Sequence, residues 1–379
     1  MKPRLNNALY VVGTRGFPNV QGGIERHCEE LYTHLASAGE QVVVFTRSPY
    51  VATKDRWSIY AGVHLRRVWA PRSKHLEAIT HTFLAIVLAY AWGGKRLHVH
   101  AVGPGLLIPL AKILGFKVVM THHGFDYDRR KWSRVAKFML RLGERLAMRY
   151  ADLVITVSQQ LAEYVRNRYH RHSVFLPNGV SMSYLQSLRE PASPLLARHN
   201  LQAKRYLIAV ARLVPEKGLD VLLDALAARD SLPPLVVVGD ADHQDSYSRK
   251  IRSSADENTR FIGSLPHDQT LALIKDATAF VMPSYHEGLP IALLEALALG
   301  TPVIASDIVP NKEIIGESTY GFLFRTGDAH DLRQKIEQVL HLDEKRREEL
   351  GAMGRKRIQE QYNSDAISAR FAELLALLL

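Results

Sequence analysis

Two carboxylates stand eight residues apart in YHEGLPIALLEA, Tyr285–Ala296: Glu287 and Glu295. Glu287 falls on a loop after the apolar run Ala279–Met282, and Pro290 suits the first turn of the helix that follows. Gly288, Leu289, Pro290 and Ile291 lead into that helix, and amides near Leu289 to Ala292 are free donors well placed for a phosphate. Glu295, just over one turn further in, can accept hydrogen bonds from ribose hydroxyls while Glu287 reaches a sugar ring. Either carboxylate alone would read as a solvated side chain; the conjunction with two further motifs changes that. In ARLVPEKG, Ala211–Gly218, Arg212 and Lys217 follow an apolar run and are two fixed cations, suited to hold the charge of a departing diphosphate without a metal. In GTRGFPNVQGGIERH, Gly13–His27, the pair Gly22–Gly23 precedes a helical pattern and allows close approach of backbone to a ligand.

The elements that must position these residues are short apolar runs alternating with helical periodicity. Strands are expected at Leu9–Val12, Val42–Thr46, Val63–Val68, Leu97–Ala101, Val118–Thr121, Val154–Val157 and Val174–Leu176. A second set is expected at Tyr206–Ala211, Leu235–Val238, Arg260–Ile262, Ala279–Met282, Pro302–Ala305 and Gly321–Phe324. Ile24, Cys28, Leu31 and Leu35 share one helix face, and that helix stops at Gly39. The strand runs are continuously apolar, as a parallel sheet covered on both faces requires. The expected fold class is α/β: two Rossmann-like domains with parallel sheets facing across a cleft, where ligands bind at the carboxyl ends of the strands. The domains are expected at 1–185 and 186–362, with a final helix, 363–379, packing back on the first.

Length and composition agree with two globular domains: 379 residues, 47% hydrophobic and 23% charged. Cys28 is the single cysteine, so an internal disulfide and a cysteine-based zinc site are excluded. The first apolar run, Ala8–Val12, reads as a strand rather than a signal peptide, and the longest, Phe83–Trp92, is too short to span a membrane. The G-x-G-x-x-G and G-x-x-x-x-G-K-[ST] fingerprints are both absent, which argues against dehydrogenase and P-loop chemistry.

In this order and spacing the three motifs resemble the retaining family-4 glycosyltransferases of the GT-B fold. The resemblance covers nearly the whole chain and is strongest over residues 207–300. It implies a nucleotide-diphosphate sugar donor and a glycan or lipid-linked acceptor, in cell-surface polysaccharide synthesis. It implies that Glu287 contacts the donor sugar, Glu295 the ribose, and Arg212 and Lys217 the diphosphate, with Gly22 and Gly23 as the glycine loop. THHG, Thr121–Gly124, resembles the family's strand-end histidine setting and assigns His123 a hydrogen bond to donor sugar or diphosphate. PNGV, Pro177–Val180, matches a loop near the family's hinge. VVGDAD, Val237–Asp242, looks like its nucleotide loop, which places Gly239 at the donor; Ala241 stands where glycine is usual. EGLP replaces the commoner EGFG. The catalytic set is therefore Glu287, His123, Arg212 and Lys217. His122 and His123 form a pair without a third ligand at metal-site spacing, and no essential metal or other cofactor is expected.

Charge is uneven. Residues 1–180 carry 26 Lys and Arg against 11 Asp and Glu, a net +15, whereas residues 181–379 carry a net −4. Arg130, Arg134, Lys137, Arg141, Arg145 and Arg149 recur every three or four residues, beside an apolar stripe of Val135, Phe138, Met139, Leu142 and Leu146. A basic amphipathic helix reads as a membrane-surface element, so an anionic membrane is the expected partner and the inner face of the cell membrane the expected location. The plainer expectation is that the apolar stripe packs on the sheet and the basic stripe is solvated. The competing functions are a nucleotide-sugar epimerase or phosphorylase on the same fold, and a nucleic-acid-binding protein, for which no helix-turn-helix, RNP or zinc-finger pattern exists; no nucleic-acid partner is expected.

Overall fold

The computed structural model describes residues 7–51, 55–73, 76–128, 132–187, 193–227, 232–241 and 246–378. The chain divides into two compact units, residues 1–179 with 364–379, and residues 180–363. The sequence places the first boundary after 185; the structure draws it after Gly179. The reason is local: the Val180 amide donates to the Tyr362 carbonyl at 2.8 Å, and Val180 bridges to Asn363, so the second unit is pinned shut where its chain enters and leaves.

The first unit holds an eight-stranded sheet. Its strands are β1 (Leu9–Val12), β2 (Val42–Arg47), β3 (Trp57–Tyr60), β4 (Val63–Val68), β5 (Arg96–His100), β6 (Lys117–His122), β7 (Leu153–Thr156) and β8 (Val174–Phe175). Their order is β3-β4-β2-β1-β5-β6-β7-β8, parallel throughout except for the β3–β4 pair. β1 and β2 are buried along their whole length, which explains why neither alternates in polarity. Strand β3 was not expected from its composition. Its signal lies in the turn: Ala61 and Gly62 both have positive φ, 44° and 83°, the backbone that a two-residue hairpin needs.

The second unit holds β9 (Leu207–Val210), β10 (Leu235–Val238), β11 (Thr259–Gly263), β12 (Ala279–Met282), β13 (Val303–Ser306) and β14 (Phe322–Phe324). All pair in parallel, in the order β11-β10-β9-β12-β13-β14. In each sheet the winding direction reverses once, between β1 and β5 and between β9 and β12. At such a point the two following loops diverge and leave a crevice at the strands' carboxyl ends.

Two helices complete the first core. The helix Gly23–Ser37 lays Cys28, Leu31, Tyr32 and Leu35 on the sheet, and the C-terminal helix Ser364–Ala376 adds Ile367, Phe371 and Leu375 to the same cluster. On the opposite face the helix Arg134–Tyr150 closes on the turn Pro104–Leu107 through small residues. A Cβ on Gly143 would meet the Val102 carbonyl oxygen at 2.3 Å and the Leu106 side chain at 3.1 Å. Gly143→Val is therefore expected to destabilise the first unit by roughly 1–3 kcal/mol through overpacking. A thermal melt reads this as a lowered Tm, and an unchanged Tm would mean that this contact is looser than described.

Candidate active site

In the second unit the reversal point carries two of the expected motifs. The loop after β9 runs through Arg212 to a single 3-10 turn, Pro215–Lys217, and the loop after β12 contains Ser284, Glu287 and Gly288. The two loops are tied together. The Tyr285 amide donates to the Glu216 carbonyl at 2.9 Å. Lys217 Nζ donates to Glu287 Oε1 at 2.7 Å, and Ser284 Oγ donates to the same oxygen at 2.7 Å. Burial pushes the Glu287 carboxyl up, but the Lys217 ammonium and the hydrogen bonds from Lys217 and Ser284 outweigh it and hold it below the usual carboxylate range. Glu287 is thus a positioned, ionised carboxylate beside a fixed cation. Arg212 lies half-buried at the start of the same loop. Ser284 was not found from sequence; its carbonyl accepts from Ser306 Oγ, whose own position is held by Asn311.

The helix after this loop spans Ile291–Leu299 and is nearly all buried. Pro290 is its cap rather than part of its first turn, and no side chain caps its amino end. The donors there begin at Ile291, two residues later than expected. Leu289 and Ile291 are buried and anchor the loop. Glu295 is 6% exposed, and His267 shares a 2.7 Å hydrogen bond with its Oε1. His267 heads the helix His267–Asp276 and stacks on Tyr184 with ring centres 5.7 Å apart. The expected ribose acceptor is therefore part of a Glu295–His267–Tyr184 assembly that no spacing in the sequence connects. Gly239 follows β10 at φ 126°, its amide bonded to the Gly263 carbonyl at 2.8 Å. Asp242, at the end of its motif, lies outside the described residues.

The first unit gathers a second group at its own reversal point. Gly13 follows β1 at φ 101°, and a Cβ there would lie 2.1 Å from the His100 carbonyl oxygen at the end of β5. Gly22 caps the helix Gly23–Ser37 at φ 152°, with Glu25 in the space that a side chain would fill. Gly23 is different: a Cβ there meets nothing within 4 Å, so that backbone faces open space.

His122 and His123 part company, because successive strand residues point to opposite faces. His122 is fully buried and bonds Glu144 Oε1 at 2.7 Å, while Tyr169 donates to the other oxygen at 2.6 Å. Burial raises the Glu144 carboxyl, but bonds from His122, Tyr169 and Tyr164 bring it below its usual value. His123 faces the other side. Its Nε2 pairs with His100 Nδ1 at 2.8 Å, and its ring stands edge-on to His27 at 5.1 Å. Burial, with smaller contributions from neighbouring histidines, pushes His100 and His123 well below the usual imidazole value, and burial alone brings His27 to about 4. All are neutral at physiological pH. The sequence reading found no third nitrogen beside the His122–His123 pair. The structure removes His122 from that group and supplies His27 and His100, whose ring nitrogens lie with that of His123 within 4.8 Å of one another. Among the described residues this is the set able to hold a metal ion.

The family model "Glycosyl transferases group 1" matches residues 196–357, and "Glycosyl transferase 4-like domain" matches residues 22–179. Both halves of the chain thus match glycosyl transferase domains, and the chain is a glycosyltransferase. TuaC of Bacillus subtilis (strain 168), named as a teichuronic acid biosynthesis glycosyltransferase, is 28% identical over 65% of this chain and 61% of its own length. A Corynebacterium glutamicum enzyme is 25% identical over 96% of this chain and 97% of its own. Its name is GDP-mannose-dependent monoacylated alpha-(1-6)-phosphatidylinositol monomannoside mannosyltransferase. The sucrose-phosphate synthase of Thermosynechococcus elongatus superposes with a TM-score of 0.84 over 98% of this chain and 99% of that one, at 24% identity. The fold is that of the GT-B glycosyltransferases.

Gly218 joins the Lys217 turn to the next helix at φ 63°, and a Cβ there would meet the Pro283 carbonyl oxygen at 2.1 Å. It sets how close the glycosyltransferase's cationic loop comes to the Glu287 loop. Gly218→Ala is expected to separate the Lys217–Glu287 pair and lower kcat/KM by an order of magnitude or more, on the order of the loss seen when a catalytic group is misplaced by about 1 Å. Wild-type kinetics in this variant would show that the two loops need not touch.

Proposed function

We propose that the chain is a retaining glycosyltransferase, working without an essential metal, that moves a sugar from a nucleotide-diphosphate donor to a glycan or lipid-linked acceptor at an anionic membrane surface. The observation that carries the donor side is the 2.7 Å contact between Lys217 and Glu287 at the reversal point of the second sheet. A cation and an ionised carboxylate this close suit the junction of diphosphate and sugar, where one group faces phosphate oxygens and the other faces ring hydroxyls.

In this reading the bond between the anomeric carbon and the diphosphate oxygen breaks, and the acceptor oxygen bonds to the same face of the sugar. The acceptor's proton passes to the departing phosphate oxygen. Lys217 and Arg212 hold the charge that develops on that phosphate. Glu287, already engaged by Lys217 and Ser284, orients the sugar rather than attacking it. Glu295 takes the ribose, Gly239 lies at the nucleotide, the amino end of the helix at Ile291 meets a phosphate, and His123 contributes a hydrogen bond to the sugar or diphosphate. A nucleotide-sugar donor is supported by the GDP-mannose dependence in the name of the Corynebacterium relative, and a lipid acceptor by its phosphatidylinositol monomannoside. A role in polysaccharide synthesis is supported by the name of TuaC.

The membrane part rests on surfaces of the first unit. The apolar stripe of the helix Arg134–Tyr150 is covered only in part: Leu142 and Leu146 are half-buried, and the plainer expectation fails for Val135, Phe138 and Met139. Its buried residues are Gly143, Glu144, Ala147 and Met148, whereas Val135 is 73% and Phe138 65% exposed, beside exposed Arg134, Arg141 and Arg145. The reason is the close approach at Gly143, which turns the small face inward. Arg130, at the start of the stripe, lies outside the described residues. The helix Glu77–Ala91 adds exposed Phe83, Val87 and Tyr90 along one of its own faces. No described helix is long and apolar enough to cross a membrane, so adsorption is the mode proposed. Each Lys or Arg near an anionic leaflet contributes about 1 kcal/mol.

Glu287→Ala is expected to lower turnover on the order of 10²-fold while leaving affinity for free nucleotide unchanged, whereas Lys217→Ala lowers donor affinity and turnover together. Both are read from steady-state kinetics with a nucleotide-sugar panel, run in a chelator and with the anomeric product assigned by NMR. Loss of all activity in the chelator, or an inverted product, would overturn the proposed chemistry. For the membrane, co-sedimentation with anionic vesicles is expected at low salt and is weakened at high salt, with little binding to neutral vesicles. Indifference to anionic vesicles at low salt would leave a soluble acceptor as the better reading.

A further inference from the structure

A chain of five side chains runs through the buried layer between the first sheet and the helix Gly23–Ser37 and ends at His123. Thr121 Oγ1 shares a hydrogen bond with His98 Nε2 at 2.7 Å. His98 Nδ1 shares one with the Tyr32 hydroxyl at 2.8 Å, and the same hydroxyl bonds His100 Nε2. His100 Nδ1 then meets His123 Nε2 at 2.8 Å. His98, His100, Thr121 and Tyr32 are all but inaccessible to solvent. Strand geometry brings them together: His98 and His100 are two apart on β5, Thr121 and His123 are two apart from β6 onward, and His100 stands opposite Thr121.

Counting protons limits what this chain can do. A neutral imidazole carries one N–H, and a phenol one O–H. The Tyr32 proton can serve only one of its two histidines, so Tyr32 must accept from the other. If Tyr32 donates to His100, then His100 donates to His123, and the His123 proton sits on Nδ1. Tyr32 then accepts from His98, which accepts from Thr121. If Tyr32 donates to His98 instead, every bond reverses and the His123 proton sits on Nε2. The tautomer of His123 is therefore coupled to the direction of one buried hydroxyl proton.

We propose that Tyr32 is a positioning residue for the transfer reaction, fixing the tautomer of His123 through His100, so that Nδ1, the nitrogen outside the chain, presents a proton to the donor's sugar or diphosphate oxygen. This rests on the reading of His123 as a donor contact given above. The first of the two proton arrangements is the one that meets an anionic oxygen.

The test is Tyr32→Phe, which keeps the ring and removes the one proton in the middle of the chain. Nitrogen-15 NMR of labelled histidine is expected to show His123 as the Nδ1–H tautomer in the parent and as a mixture in the variant, with a circular dichroism spectrum unchanged between them. Turnover is expected to fall about tenfold, as for the loss of one hydrogen bond, with KM for the donor little altered. The same Nδ1–H tautomer in both proteins, or an Nε2–H parent, overturns the proposal. His123→Ala separates this from the larger reading. Wild-type kinetics in that variant would remove His123 from donor contact, while the tautomer measurement would still decide whether Tyr32 controls it.

Discussion

Both units depend on one constraint: a parallel sheet covered on two faces leaves only the carboxyl edge of its strands for chemistry, and only where the winding reverses do adjacent loops part. Residues at that edge can be polar because the core beneath them is complete. β9 and β12 are buried almost throughout, and the loops that leave them bring Lys217 and Glu287 together at 2.7 Å. β1 and β5 do the same for Gly13 and His100. Three glycines, Gly13, Gly22 and Gly218, have the positive φ and the close neighbours that let these loops lie against one another.

Electrostatics in the two units are handled in opposite ways. In the second, a carboxylate taken out of water is kept ionised by an ammonium and a hydroxyl, so the region retains full charges of both signs. In the first, three histidines, His98, His100 and His123, are kept neutral by burial and satisfied by one another, by Tyr32 and by Thr121. Charge beside a diphosphate is useful; a neutral hydrogen-bond donor with a settled tautomer suits a contact that must discriminate one oxygen from another. Glu144 is a third solution: a buried carboxylate satisfied by His122 and tyrosine hydroxyls, which ties the basic helix to the end of β6.

The surface of the first unit follows from the same packing. Because Gly143 lets the helix Arg134–Tyr150 approach the turn at Pro104–Leu107, the face of Gly143, Glu144, Ala147 and Met148 is buried and Val135 and Phe138 are left outside. Exposed Phe138 and Val135 among arginines are thus a consequence of how the helix docks, and they coincide with the most basic part of the chain.

Much of this was legible in the residues alone. Continuous apolar runs located thirteen of the fourteen strands named above, because burial on both faces leaves so plain a pattern. Strand β3 escaped because an edge strand need not be apolar, and only its Ala61–Gly62 turn marked it. Glu287, Lys217 and His123 were legible by type and spacing. Their partners were not: Ser284, His267 and Tyr32 are ordinary residues until the chain brings them to within 3 Å of a carboxylate or a ring nitrogen. The face that a helix buries also lay beyond periodicity, since the apolar stripe and the face around Gly143 and Ala147 both fit a 3.6-residue repeat and the choice between them is made by the backbone opposite. Sequence by itself determined the element types, the winding and the chemical character of the site, because these follow from local pattern and covalent order. Which nitrogen faces which hydroxyl, and which stripe of a helix meets solvent, was decided by tertiary packing, because contacts between residues tens of positions apart have no period to read.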